Sequence, residues 1–224
     1  MRPVGSGVIL MAAALASGAA AGCAHTIPLK AASLDRPPWA VQAPVAVGIY
    51  YSPEFRTHEE KIWRSGDRWD FALGEASVRL LNRAWPMLFE SSAPVPSRPP
   101  LPTGQSKLAA VIEPKIEAFD FSLPFLKTGT YTAEITYRMT LYSPEGERLV
   151  SWTVRGQGAK PGQVGFEFAR WPGEAVDLAM QEATMKFVTG FRDVPEVRAW
   201  LRRLGVPGAS WAPRWLRAAF GGER

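Results

Sequence analysis

The chain holds 224 residues, with 26 lysines and arginines against 21 aspartates and glutamates, a net charge of +5, and a single cysteine. That length suits one domain with tails and leaves no room for a second full domain. The surplus charge is mild and scattered, which speaks against a nucleic-acid partner and suits a place beside anionic lipid or lipopolysaccharide. One cysteine excludes an internal disulfide framework.

In chain order, Arg2 supplies a positive charge and residues 8–16 an apolar run that Ser17 and Gly18 interrupt, the profile of a secretion signal over residues 1–22. The run is about half of the roughly 20 residues that a bilayer-spanning helix needs. Ala20-Ala21-Gly22 then leads into Cys23. This tetrad resembles a bacterial lipobox, with Ala20 standing where that motif usually has leucine. Ala19-x-Ala21 also fits an ordinary signal peptidase, which would leave Cys23 near the start of a soluble chain.

The lipobox resemblance implies cleavage before Cys23, a diacylglycerol on its sulfur and an acylated amino group. Several buried chains at about 0.8 kcal/mol per methylene would make a stable anchor. The thioether would also remove a reactive thiol that has no disulfide partner in an oxidising compartment. Ala24 follows, and not the aspartate of the enterobacterial inner-membrane retention rule, which implies the periplasmic face of the outer membrane.

Residues 23–44 contain Pro28, Pro37, Pro38 and Pro44 and little periodicity, so they are expected to form a lipidated flexible tether. A folded domain is expected over residues 45–204. Residues 45–51 carry the first strand, and residues 54–68 are charged and irregular. Phe71, Val78, Leu81, Trp85 and Leu88 predict an amphipathic helix over 70–90, capped by Asp67 or Asp70 and bent or stopped at Pro86. Five prolines make 91–106 an extended, mobile loop.

Strand character returns over 108–121, with Pro114 demanding a bulge or an edge. Residues 131–142 alternate cleanly, with Ile135, Tyr137, Met139 and Leu141 on one face and Glu134, Thr136, Arg138 and Thr140 on the other. Ser143-Pro144-Glu145-Gly146 is turn chemistry that closes a hairpin with a strand over 149–157. A glycine- and aromatic-rich loop over 156–173 precedes a helix over 174–189, built on Val176, Ala179, Met180, Ala183 and Phe187. Asp193, Pro195 and Glu196 start a short helix over 195–204. Residues 205–224 form a basic aromatic tail.

From Thr130 to Trp200 this layout is similar to a group of small envelope lipoproteins: the YajG-like lipoproteins, the lipopolysaccharide-assembly lipoprotein and auxiliary lipoproteins of transport systems. The likeness lies in the strand after Gly129, the turn at 143–146, the small residues at 156–158 and the helix opening near Ala175 and Val176. It implies an α+β fold of order β-α-β-β-β-α: a mainly antiparallel sheet of about four strands, two long helices on one face, a short C-terminal helix and a tail. It also implies a binding or assembly accessory of the cell envelope without chemistry of its own. One variant is an auxiliary subunit of a lipid or lipopolysaccharide transport system.

The residues offer little for catalysis. His25 and His58 are the two histidines, one in the expected tether and one among charged neighbours. No metal set, cofactor fingerprint or nucleophile motif is present, so neither cofactor nor metal is expected. An envelope hydrolase would need a carboxylate pair, with Asp67 and Asp70, or Glu113, Glu117 and Asp120, as candidates. The remaining candidates are the lipidation site Cys23 and the tail residues Trp211, Arg214, Trp215, Arg217 and Phe220, whose composition suits an anionic membrane surface or an envelope partner.

Overall fold

The computed structural model describes residues 23–31, 33–38, 40–102, 107–124, 128–163 and 170–206. The architecture is α+β, as the sequence predicts, but it is built on two sheets. A five-stranded sheet has the order β5-β2-β6-β7-β8, where β2 is Ala43–Ile49, β5 Phe89–Pro94, β6 Ala110–Ser122, β7 Thr128–Tyr142 and β8 Arg148–Gln163. A three-stranded sheet has the order β1-β4-β3, from Ala24–Ile27, Asp67–Phe71 and Glu60–Arg64. The helices are α1 (Pro53–Arg56), α2 (Leu73–Leu88), α3 (Arg170–Gly190) and α4 (Pro195–Arg203).

The large sheet is antiparallel through β6, β7 and β8, whereas β2 runs parallel to both β5 and β6. The alternation in β7 behaves as expected: Tyr131, Ala133, Ile135, Tyr137, Met139 and Leu141 are all buried against the helices. In α3, Val176, Ala179, Met180, Ala183 and Phe187 are buried, as their spacing predicts. Buried hydroxyls tie helix to sheet. Tyr137 Oη lies 2.8 Å from Ser77 Oγ, which donates to the Leu73 carbonyl at 2.6 Å.

Pro114 falls where β6 has left its β2 neighbour, whose register ends at Ile49 opposite Ile112. The proline's missing donor is therefore not needed on that side. A bulge between Ile116 and Ala118 then shifts the phase of β6. Ala110, Ile112 and Ile116 face the helices before it, while Phe119 and Phe121 turn inward after it, so Ala118 and Asp120 stand on the opposite face from Ile116.

Several expectations need correction. Helix α2 begins at Leu73; Asp67 and Asp70 lie in β4, and its N-cap is Ala72, with no side-chain cap. Pro86 sits in the last turn of the helix, where only Met87 and Leu88 follow it, so it does not cut the helix short. The segment 60–71 is a β-hairpin turning at Ser65 and Gly66, both at positive φ, and its charged strands bury just Trp69 and Phe71.

Residues 89–94, the end of the expected helix and the start of the expected loop, pair as edge strand β5, and the following prolines dock on the β7–β8 turn through the Leu101 N–H and the Pro144 carbonyl at 2.9 Å. The turn itself closes as predicted, with Gly146 N–H donating to Ser143 at 3.0 Å. Strand β8 runs to Gln163, through the first eight residues of what reads as a glycine-rich loop. Its glycines are required by packing: a Cβ at Gly156 would lie 2.1 Å from the Ala179 carbonyl oxygen, and one at Gly158 2.0 Å from that of Ala175. Helix α3 rests directly on the backbone of β8.

Candidate functional site

The segment expected to be a tether is folded onto the domain over its described residues. Strand β1 pairs in parallel with β4 from Ala24 opposite Arg68 to Ile27 opposite Phe71. Ile27 and Ala31 are 2% exposed. Beyond β1, the Asp177 carboxylate on α3 accepts from the Lys30 and Ala31 N–H groups at 3.0 and 3.1 Å. Burial raises the pKa of that carboxyl, while the two backbone donors oppose the rise. Arg79 and Arg83 on α2 donate to the Leu29 and Ala31 carbonyls at 2.9 Å each. The polyproline composition hides this docking, because the partners lie about fifty to one hundred and fifty residues away and bind backbone rather than side chain.

Cys23 is therefore held at the domain's edge. Its N–H donates to Asp67 Oδ1 at 3.1 Å and its carbonyl accepts from Arg68 N–H at 3.0 Å, while the cysteine itself stays exposed. Asp67 also faces the His25 imidazole at 3.5 Å. The neighbouring β3–β4 hairpin carries Trp63, which is 60% exposed, and Arg64. Trp69, two residues into β4 from the same turn, is buried beneath His25 at 4.8 Å and against Phe121 at 5.7 Å. The tail candidates Trp211, Arg214, Trp215, Arg217 and Phe220 lie outside the described residues.

The face of the large sheet away from α2 and α3 is polar. Its carboxylates are committed to cations: Glu113 to Arg98 at 2.6 Å, Glu117 to Arg138, Asp120 to Arg64 at 3.2 Å and Glu134 to Arg155. Asp70 pairs with Arg68 at 3.0 Å. Asp120 and Glu134 stand opposite each other across β6 and β7 and line a depression of about 340 Å³. The Arg155 guanidinium and the Gln157 amide hold the Glu134 carboxyl below its ordinary range. A general acid for glycoside chemistry needs the opposite shift.

A larger groove of about 610 Å³ lies at the other end of this face, between β6, β7, β8 and the α1 region. Arg98, Lys115, Arg138 and Arg148 line it, with Glu54, Glu113 and His58. His58 is engaged with Glu60 at 3.1 Å. Among the described residues there is no cluster of histidine, cysteine and carboxylate side chains that could hold a metal, and no helix long and apolar enough to cross a membrane.

No family model and no curated protein matches the chain. Among solved structures, it is similar to a Xanthomonas campestris protein of the DUF330 family, at 11% identity and a TM-score of 0.48, over 77% of this chain and 98% of the other. It is also similar to a Caulobacter crescentus protein provisionally described as a lipoprotein, at 12% identity and a TM-score of 0.36, over 58% of this chain and 83% of that one. Both likenesses are loose, and neither carries a residue role to this chain.

Proposed function

We propose that the chain is an envelope lipoprotein, acylated at Cys23, that works as a non-catalytic binding or assembly component seated against the membrane. The observation that carries this is the position of Cys23. The sole cysteine follows three small residues, is exposed, and is fixed by two backbone hydrogen bonds at the edge of the folded domain. A free 22-residue tether would let the domain stand up to about 70 Å from its anchor. With β1 paired into the small sheet, the acylated residue lies within about one strand spacing of β4, so the domain rides on the bilayer surface.

The β3–β4 hairpin then faces the lipid. Trp63 and Arg64 suit that boundary, an amphipathic ring beside a cation that meets anionic headgroups. N-acylation of Cys23 leaves an amide N–H, so the bond to Asp67 survives the modification. Ala24 favours the periplasmic face of the outer membrane. The absence of catalysis is supported by the carboxylates of the open sheet face, each paired with a cation rather than converging on a shared proton.

Cys23→Ser tests the anchor. Expressed from the full gene in a Gram-negative host, the unsubstituted chain is expected in the membrane fraction after an alkaline carbonate wash, and the variant almost wholly in the soluble fraction. A variant that stayed with the membrane would show that something other than the acylated cysteine holds it there.

A further inference from the structure

On the open face of the large sheet, side chains form rows across β6, β7 and β8. One row is Glu113, Thr140 and Ser151, and the next is Lys115, Arg138 and Thr153. Lys115 and Arg138 thus stand directly opposite each other. Like charges in that position destabilise a sheet. Arg138 is relieved by Glu117, and Arg98 is fixed by Glu113 and by the Tyr142 ring, 5.6 Å from its guanidinium.

Lys115 and Arg148 have no such partner: among the described residues neither side chain forms a hydrogen bond or an ion pair. Glu54 senses Lys115 and Arg98 only through space, and its own pKa is lowered first by its backbone N–H and the Ser52 hydroxyl. The groove that these side chains line has four cations against Glu54 and Glu113, one of the cations, Arg138, being paired with Glu117. Its volume, about 610 Å³, lies within the range of small-ligand sites, about 300–1,000 Å³. A surplus of positive charge, two uncommitted cations and a repulsive cross-strand pair all point to an anion.

We propose that this groove binds a phosphate monoester, received by Lys115 and Arg148 and flanked by Arg138. This rests on the chain being a binding component and deepens it by naming the ligand chemistry. The phosphate can belong to a lipid headgroup or to a soluble molecule; both present the same dianion to the same side chains.

The test uses the full chain in a neutral detergent, titrated calorimetrically at constant ionic strength with inorganic phosphate, dihexanoyl phosphatidic acid and, as control, dihexanoyl phosphatidylcholine. Saturable binding of the first two and none of the control is expected, weakened about tenfold in a Lys115→Thr and Arg148→Thr double variant. Tighter binding of phosphatidic acid assigns the phosphate to a lipid, and equal binding assigns it to a soluble monoester. The double variant should melt no lower than the unsubstituted chain without phosphate, because a repulsion has been removed. If it does not fold, Lys115→Gln alone serves, with the same direction expected. No saturable binding at millimolar phosphate, or binding unchanged in the folded variant, overturns the proposal. An unsubstituted chain that binds phosphate but is found without an acyl group would refute the anchor and leave the groove standing, and an acylated chain without binding would do the reverse.

Discussion

Replacing Gly156 by valine is expected to lower the unfolding free energy by about 3 kcal/mol, read from the shift in urea midpoint. The new Cβ would sit 2.1 Å from the Ala179 carbonyl oxygen and 2.4 Å from the Ala183 nitrogen. Both are helix backbone, so no side-chain rotation can relieve the clash, and α3 must lift off β8. That movement also loosens the buried row of Ala179, Met180, Ala183 and Phe187. Gly190 is the matched control, since nothing lies within 4 Å of a Cβ there. Gly190→Ala should stay within about 0.5 kcal/mol of the unsubstituted chain. Equal effects at the two glycines would mean that α3 does not rest on β8 as described.

The second large effect is expected at Phe71, where the two sheets meet. Its ring is fully buried on β4, 4.9 Å from Phe121 and 5.3 Å from Phe119 of β6. Phe71→Ala should cost about 3–5 kcal/mol, the range for removing a buried aromatic side chain. The loss should be local as well as global. With the small sheet loosened, amide exchange in β1, β3 and β4 should accelerate before that in β7 and β8, because β1 depends on β4 for its pairing. Uniform acceleration over both sheets would show that they unfold as one unit and that Phe71 is not their joint.

How legible the fold was follows from where its partners lie in sequence. Strand β7 and helices α3 and α4 could be read because their signals are local: alternation, helical spacing and a proline start. The hairpin of β3 and β4 was missed because one face of a short, charged ribbon is wet, and its buried face is completed by residues 24–27 and 119–121. The glycines of β8 read as loop because a glycine placed for close helix contact looks the same in sequence as one placed for a turn. The β6 bulge shifted the face of Phe119 and Phe121, which a strict two-residue period puts on the wrong side.

The candidate sites divide in the same way. Cys23 was legible because a lone cysteine after small residues is a local pattern; its fixation by the Asp67 carboxylate and the Arg68 N–H was not, since both partners lie more than forty residues away. The basic groove assembles Arg98, Lys115, Arg138 and Arg148 from four separate stretches. Only the register of β6 against β7 reveals that two of them face each other.

The central claim is that Cys23 is both the mature amino terminus and the site of the membrane anchor. The most direct measurement is intact-mass and fragment-ion spectrometry of the full-length product purified from membranes. The expected result is a chain beginning at Cys23 and carrying a diacylglycerol together with an amide-linked fatty-acyl group, all confined to the first residue. A mature chain that begins elsewhere, or one that begins at Cys23 with an unmodified thiol, would contradict it.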